Sequence, residues 1–172
     1  NKFNEIFQKE LDDNPGLNDS NNAHFGSRVL TDPRLNVDKV YPQLTETQLD
    51  QIAKLETNPE RIDKVYEELA KRNETVNPHT AASLASNPST PTTVLEKMSK
   101  NKDFTADVAG VALLDNPTLT PKQRENVLKN SEIARSYEKV SIMSQEGVMD
   151  ELRLPGRRGW NFDPVKVKEA GL

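Results

Sequence analysis

The C-terminal stretch of the chain holds the residue types best suited to binding a ligand. Gly156-Arg157-Arg158-Gly159 combines glycines, which let a ligand approach the backbone, with arginines, which bind phosphate through paired hydrogen bonds. The stretch lacks the Lys-Ser or Lys-Thr pair of a P-loop and any preceding strand. A nucleotide site is therefore disfavoured, and a basic patch for nucleic acid or an acidic protein is the better functional interpretation.

Aromatic residues accompany this basic patch. Trp160 and Phe162 flank Asn161, and such rings stack on bases in proteins that bind single strands. In the competing interpretation, which we favour, Trp160 packs on the last repeat as a C-terminal cover and the arginines remain in solvent. The candidate contacts for nucleic acid or a partner are Arg153, Arg157, Arg158, Trp160, Phe162, Lys166 and Lys168.

Catalytic and metal chemistry has little support in the sequence. His24 and His79 are the only histidines, they lie far apart, and there is no cysteine. The carboxylates of Asp12-Asp13 and of Glu67-Glu68 are neighbours in sequence, so on a helix they do not face each other. No Gly-x-Ser-x-Gly motif is present. We therefore predict a non-enzymatic chain with no catalytic residue, cofactor or metal, and no evident small-molecule substrate.

Composition points to a thin, soluble architecture. The apolar fraction of the 172 residues is 34% and the net charge is −4, which disfavours nucleic-acid binding by the chain as a whole. No apolar run is long enough to span a membrane, so we predict no membrane contact and a bacterial cytoplasmic location. The first residue is Asn1 rather than Met, which favours a fragment of a longer bacterial protein.

An Asx-Pro pair recurs along the chain and organises it. An apolar residue precedes each pair by three positions, and a helical pattern resumes after it. Proline forces the preceding residue out of the helical region, while Asn or Asp accepts the resulting turn. The pattern predicts about four helix–turn–helix repeats. The pairs are Asp32-Pro33, Asn58-Pro59, Asn87-Pro88 and Asn116-Pro117, and the preceding apolar residues are Val29, Leu55, Leu84 and Leu113.

Capping signals place the helices of these repeats. Thr45 with Gln48 and Thr120 with Gln123 fit capping boxes. Asn-Pro and Thr-Pro pairs fit an N-cap followed by proline at the first helical position. Further N-caps are predicted at Asn77, Thr90, Thr105 and Asp163, and Tyr41-Pro42 should shorten or kink its helix.

The inward faces follow from helical spacing. Phe3, Ile6, Phe7 and Leu11 mark a helical N-terminal cap, and a last long helix begins near Ser131. The predicted inward residues are Ile62, Val65, Tyr66 and Leu69. The matched positions of the other repeats are Val40, Tyr41 and Leu44; Val94, Leu95 and Met98; and Arg124, Val127 and Leu128. Leu49, Ile52 and Leu55 lie on one face of their helix, and Ile133, Tyr137, Val140 and Met143 lie along one side of the last helix.

The predicted fold is therefore an all-α solenoid of about four helix–turn–helix repeats, with an N-terminal helical cap and an irregular C-terminal tail. We expect one all-helical repeat domain over residues 1–152. Residues 153–172 form the tail, which holds five basic against two acidic side chains and packs on the domain or extends from it.

The chain resembles the bacterial leucine-rich repeat variant family most clearly over residues 84–98. These read Leu84-Ala85-Ser86-Asn87-Pro88-Ser89-Thr90-Pro91-Thr92-Thr93-Val94-Leu95-Glu96-Lys97-Met98, against a family repeat of Leu-Ala-x-Asn-Pro-x-Thr-Pro-x-x-Val-Leu-x-x-Leu-Ala. Degenerate copies extend the resemblance over about residues 26–130. It implies a right-handed helical solenoid that binds another molecule, and it brings no catalytic residues.

Two functions follow as hypotheses. The first is a non-catalytic helical-repeat module that binds a protein partner. The second is an accessory C-terminal domain of a DNA-processing protein, such as a plasmid mobilisation relaxase, that contacts DNA or transfer machinery through the basic tail. The second predicts binding to DNA that weakens as salt rises.

Overall fold

The fold is known from a computed structural model that describes residues 2–13, 27–72, 76–145, 152 and 162–171. All regular elements within these ranges are helical, which confirms the all-α prediction. The helices are α1 (Lys2–Asp13), α2 (Ser27–Leu30), α3 (Val37–Val40), a 3-10 helix (Tyr41–Gln43), α4 (Glu46–Leu55), α5 (Pro59–Lys71), α6 (Pro78–Ser86), α7 (Thr92–Lys100), α8 (Asp107–Asp115), α9 (Pro121–Asn130), α10 (Glu132–Met143) and α11 (Pro164–Glu169).

The helices stack in two layers, as expected for a solenoid. Layer A contains α2, α4, α6, α8 and α10, and each of these packs on the next. Layer B contains α3 with the 3-10 helix, α5, α7 and α9. One apolar core runs between the layers along the whole stack. Among the described residues no helix has the combined length and apolar character needed to cross a bilayer.

Most of the inward residues predicted from helical spacing are buried. Val65, Leu95 and Met98 have no exposed surface, and Tyr41 and Tyr66 are 2% and 8% exposed, so both tyrosines belong to the core. Leu55 was predicted to share the apolar face of its helix but is 54% exposed. Ile6, on α1, is exposed as well, while Phe7 is buried.

The predicted capping boxes are present. The Thr45 hydroxyl accepts from the Gln48 amide while the Gln48 side chain accepts from Thr45, and Thr120 and Gln123 repeat the arrangement. Asn77 and Asp163 cap α6 and α11 as predicted. Pro42 ends α3 and leaves the 3-10 turn, as the Tyr41-Pro42 pair indicated.

Two predicted threonine caps are wrong. Helix α7 begins after Pro91, and the Thr90 hydroxyl instead donates to the carbonyl oxygen of Leu84 at 2.6 Å. Helix α8 begins after Ala106. The Thr105 hydroxyl donates to the Lys102 carbonyl oxygen. The Thr90 hydroxyl thus bonds a carbonyl of the last turn of α6, and the Thr105 hydroxyl bonds a carbonyl of the loop between α7 and α8. These acceptors compete with the amides of the next helix.

Three of the Asx-Pro pairs form the same turn. At Asp32, Asn87 and Asn116, the side-chain oxygen accepts from the amide two residues on. The backbone of the same residue donates to the carbonyl three residues back and accepts from the amide three residues on. Proline is the next residue, and its missing amide proton is not needed because the donors are the amides two and three positions after the Asx residue. One turn geometry therefore ends α2, α6 and α8.

The second Asx-Pro pair begins a helix instead of ending one, so the predicted alignment of that repeat with the others is wrong. Asn58 is the N-cap of α5 with Pro59 as its first residue, and its side chain accepts from Glu60. The residue that follows α4 is Glu56, whose carboxylate accepts from the amides of Thr57 and Asn58 at 2.9 and 3.0 Å. Glu56 therefore occupies the place that Asn87 has in the next repeat, and this explains why Leu55 is exposed.

Buried side-chain amides join one repeat to the next. The Asn87 amide nitrogen donates to the carbonyl oxygens of Ala53 and Glu56, both at 2.8 Å, and the Asn116 amide donates to Ala85. These acceptors lie in the last turn or cap of the preceding layer A helix, where carbonyls have no partner within the helix. The asparagine thus shapes its own turn and caps its neighbour.

Arginine replaces asparagine at the first junction. The Arg61 guanidinium donates to the carbonyl oxygens of Thr31, Asp32 and Leu35 and to the Glu56 carboxylate, at 2.8–3.3 Å. Its side chain is 9% exposed. A guanidinium reaches several acceptors at once because it carries five donors in a fixed plane.

Candidate functional site

The structure describes only part of the candidate tail site. Arg153, Arg157, Arg158 and Trp160 lie outside the described residues, so their predicted contacts stay predictions. Phe162 is half-buried just before α11, and Lys166 and Lys168 are exposed on that helix. The amide of Asp163 donates to the Leu152 carbonyl oxygen at 2.8 Å, and this bond joins the N-terminus of α11 to Leu152.

The acidic pairs and histidines show no reactive arrangement in the described parts. His79 is exposed on α6, and His24 lies outside the described residues. Glu68 pairs with Arg72 and Glu67 with Lys64, as solvated charges on a helix do. Within the described ranges no three His, Asp or Glu side chains come close enough to hold a metal ion.

An open groove of about 710 Å³ lies between α1 and α3. Asn4, which lines it, donates to the Arg34 carbonyl oxygen at 3.0 Å and accepts from the Asn36 amide at 2.7 Å. The charged residues of its lining are of both signs, including Lys9 and Asp12. The two hydrogen bonds of the Asn4 side chain attach α1 to the first repeat.

Layer A contains the most closely packed helices of the stack. Helices α4, α6 and α8 approach one another more closely than α5 and α7 do in layer B. Small buried residues allow this approach, among them Ala53, Ala81, Ala85 and Ala109. The solvent-facing sides of these helices form one extended surface, and solenoids bind their partners on extended surfaces of this kind.

The solvent-facing side of layer A repeats at four equivalent positions in each helix. In α8 the buried residues are Ala109, Gly110, Leu113 and Leu114, and at about 100° per residue the opposite side carries positions 108, 111, 112 and 115. The same relation in the other helices gives a grid that we call the A face. Its members are Thr47, Asp50, Gln51 and Lys54; His79, Ala82, Ser83 and Ser86; Val108, Val111, Ala112 and Asp115; and Ile133, Ser136, Tyr137 and Val140.

The chemistry of the A face changes steadily along the stack. Helix α4 contributes charged and polar groups, with Lys54 and Asp50 paired at 2.6 Å. Helix α6 contributes small polar groups, of which the Ser83 hydroxyl donates to Asp50 at 2.5 Å. Helices α8 and α10 contribute mainly aliphatic and aromatic groups. The face therefore has a polar end and an apolar end.

The apolar end is open to solvent. Val108 is 41% exposed, Ile133 47%, Tyr137 39% and Val140 61%. The last three follow one stripe of α10, and α10 packs on α8, which carries Val108. We call these four residues the apolar patch. Exposed groups of this size and proximity are unusual on a solvated surface and mark contact sites.

The apolar patch is not the end of the stack. Arg135 and Glu138 on α10 bond to residues of α9, so that side of α10 faces layer B. The side turned away from both α8 and α9 carries Glu132 and Lys139, which are exposed and charged. The terminal repeat of a solenoid needs a polar outer face to stay soluble, and Glu132 and Lys139 provide one here. The apolar patch lies beside that face, on the A face.

Tyr137 is held in place within the patch. Its hydroxyl donates to the carboxylate of Asp115, 3.0 Å from Oδ1 and 3.2 Å from Oδ2. This hydrogen bond raises the pKa of the Tyr137 hydroxyl above its ordinary value, followed by the negative charge of Asp115 as a second cause. The ring is thus oriented while its apolar surface stays exposed.

Layer B has a different kind of surface. Lys97 pairs with Asp63 at 2.8 Å and Lys64 with Asp38 at 3.5 Å, so charges of successive layer B helices are joined across the repeats. The Lys97 ammonium also lies 5.5 Å from the centre of the Tyr66 ring. Such exposed pairs contribute little to stability, and they offset part of the charge on this surface.

Sequence reasoning placed the α10 stripe along one side of its helix but did not determine whether that side is buried or exposed. Ile133, Tyr137 and Val140 have helical spacing, which does not distinguish a buried face from an exposed contact face. The signal that distinguishes them is comparative: the position of Ile133 corresponds to Val108, His79 and Thr47 in the earlier helices. Two of those residues are polar, so the position faces solvent.

Comparison of the chain with protein-family models, with curated proteins and with solved structures found no match.

Proposed function

We propose that the chain is a non-catalytic interaction module that binds a protein partner on the A face, as part of a longer bacterial protein. The observation that carries the proposal is the apolar patch, with Val140 61% and Ile133 47% exposed on the solvent-facing side of layer A. The resemblance of residues 84–98 to leucine-rich repeat variants agrees with a binding role. The layer B helices α5, α7 and α9 support it by contrast, because they carry none of the large apolar side chains that are exposed in the described residues.

A matched pair of variants tests this function. Ile133 and Thr93 are both exposed, and each is the second residue of its helix, on α10 in layer A and on α7 in layer B. Ile133→Glu and Thr93→Glu therefore add the same charge at the same helical position. Both should leave stability within about 0.5 kcal/mol, since neither group is buried.

The assay begins with capture of partners from the source cell and ends with purified components. A captured protein is identified by mass spectrometry, purified and titrated against the two variants by calorimetry. We expect Thr93→Glu to bind as the parent does and Ile133→Glu to weaken binding at least tenfold, because a carboxylate would enter an apolar contact. If Thr93→Glu weakens binding and Ile133→Glu does not, the A face is not the site.

A further inference from the structure

The charge around the apolar patch indicates the chemistry of what binds there, an inference that rests on the proposed function. Asp115 lies within the A face, and Asp107 and Glu132 are exposed at the first positions of α8 and α10. None of the three forms an ion pair with a residue that the structure describes. Carboxylates therefore lie at the N-terminal ends of α8 and α10 and, through Asp115, at the C-terminal end of α8.

Positive charge is missing from the same region of the A face. The outward positions of α6, α8 and α10 include no lysine or arginine. Helix α10 has two basic side chains. The Arg135 guanidinium donates to the carbonyl oxygens of Leu128 and Lys129 on α9, and Lys139 lies with Glu132 on the polar outer face rather than on the A face. A partner that covers the patch thus meets apolar groups and negative charge.

We propose that the apolar patch binds a basic amphipathic peptide segment of a partner protein, in which apolar side chains are flanked by lysine or arginine. The apolar side chains pack on Val108, Ile133 and Val140 and against the ring of Tyr137. The flanking cations lie near Asp107, Asp115 and Glu132. Such complementarity speeds encounter and selects among partners more than it adds affinity.

The same charges argue against two other occupants. A second copy that used the same patch in a twofold dimer would bring two sets of these carboxylates together, and like charges at an interface are costly. A membrane with anionic lipids would be repelled by them as well, whereas membrane-binding faces carry lysine and arginine. A peptide of opposite charge meets neither penalty.

Selection from a library of random 16-residue peptides displayed on phage tests the proposal directly with the full chain as target. Enriched peptides are synthesised, and their dissociation constants are measured by fluorescence anisotropy for the parent chain, Ile133→Glu, Thr93→Glu and Asp115→Asn. Asp115→Asn keeps an acceptor for the Tyr137 hydroxyl and removes the charge. Sedimentation of the free chain over a range of concentrations is measured alongside.

We expect peptides that combine apolar residues with lysine or arginine, binding that Ile133→Glu weakens at least tenfold, and a two- to fivefold loss in Asp115→Asn that shrinks at high salt. Thr93→Glu should match the parent. Peptides that depend on Ile133 but are acidic or uncharged would overturn the partner chemistry and leave the A face as the site. Peptides that bind regardless of Ile133, or no enrichment at all, would overturn both. A dimer that Ile133→Glu abolishes would identify a second copy as the occupant and refute the peptide.

Discussion

Replacement of Asn87 by alanine should be among the most destabilising single changes outside the apolar core. Its side chain is 5% exposed and makes three hydrogen bonds, each 2.8 Å long, to Ala53, Glu56 and Ser89. A buried hydrogen bond contributes about 1 kcal/mol, and a buried group left without a partner costs about 1–3 kcal/mol. The expected loss in the free energy of unfolding is therefore about 3–5 kcal/mol, a large part of a typical total of about 5–15 kcal/mol.

Asn58 provides the internal control, because it is also an asparagine followed by proline. It is exposed, and its side chain accepts from the Glu60 amide as an ordinary N-cap. Asn58→Ala should cost about 1 kcal/mol. Asn87→Asp keeps the acceptor oxygen but turns the donor into a charge facing two carbonyl oxygens, so it should be at least as harmful as Asn87→Ala.

The assay is equilibrium unfolding in urea followed by circular dichroism at 222 nm, with the slope of the transition checked for each variant. The free energy of unfolding should be highest for the parent, lower for Asn58→Ala and lowest for Asn87→Ala, with about 2 kcal/mol or more between the two variants. Equal losses at the two asparagines would refute the view that the bonds across the repeat, rather than the turn itself, make Asn87 important.

Three further changes test other parts of the structure. Gly110→Ala should lower the melting temperature and cost about 1–3 kcal/mol, although alanine favours helices. The alanine Cβ would lie 2.5 Å from the Ser131 hydroxyl oxygen and 2.6 Å from the Thr105 carbonyl oxygen. A rise in melting temperature would contradict the close contact of α8 with the start of α10. Arg61→Lys should lower the urea midpoint strongly, since an ammonium cannot reach the carbonyls of Thr31, Asp32 and Leu35 together; an unchanged midpoint would show that the guanidinium is dispensable. Hydrogen bonding to Arg34 lowers the pKa of Asp32 to about 2. The contribution of this carboxylate to stability is therefore complete above about pH 4 and is lost as the pH falls toward 2. The free energy of unfolding, measured at pH 7 and pH 2.5, should change less between the two pH values for Asp32→Asn than for the parent.

Local signals in the sequence were enough to predict most of the helices. The boxes at Thr45 and Thr120 and the cap at Asn77 involve residues two or three apart, and the structure confirms them. Where a local signal competes with a neighbouring helix, prediction was wrong. The Thr90 hydroxyl bonds to Leu84, six residues back, because Pro88 has no amide proton to continue the helical bond to that carbonyl.

Contacts between repeats were harder to predict. The role of Glu56 at the second junction could not be read from the Asx-Pro spacing, since a glutamate there replaces the asparagine. The exposure of Ile133 and Val140 was missed because helical spacing shows which residues share a face, while the surroundings of that face depend on the other helices.

The bonds that join the repeats also have a kinetic consequence. Those of Arg61 and Asn87 connect residues 26–34 positions apart, a separation of about one repeat. Each junction can therefore close once two adjacent helix pairs are formed, without waiting for distant parts of the chain. Proteins built from such short-range contacts fold fast for their size. We expect refolding that spreads from one junction to the next, and opening that starts at the ends of the stack while its middle remains intact.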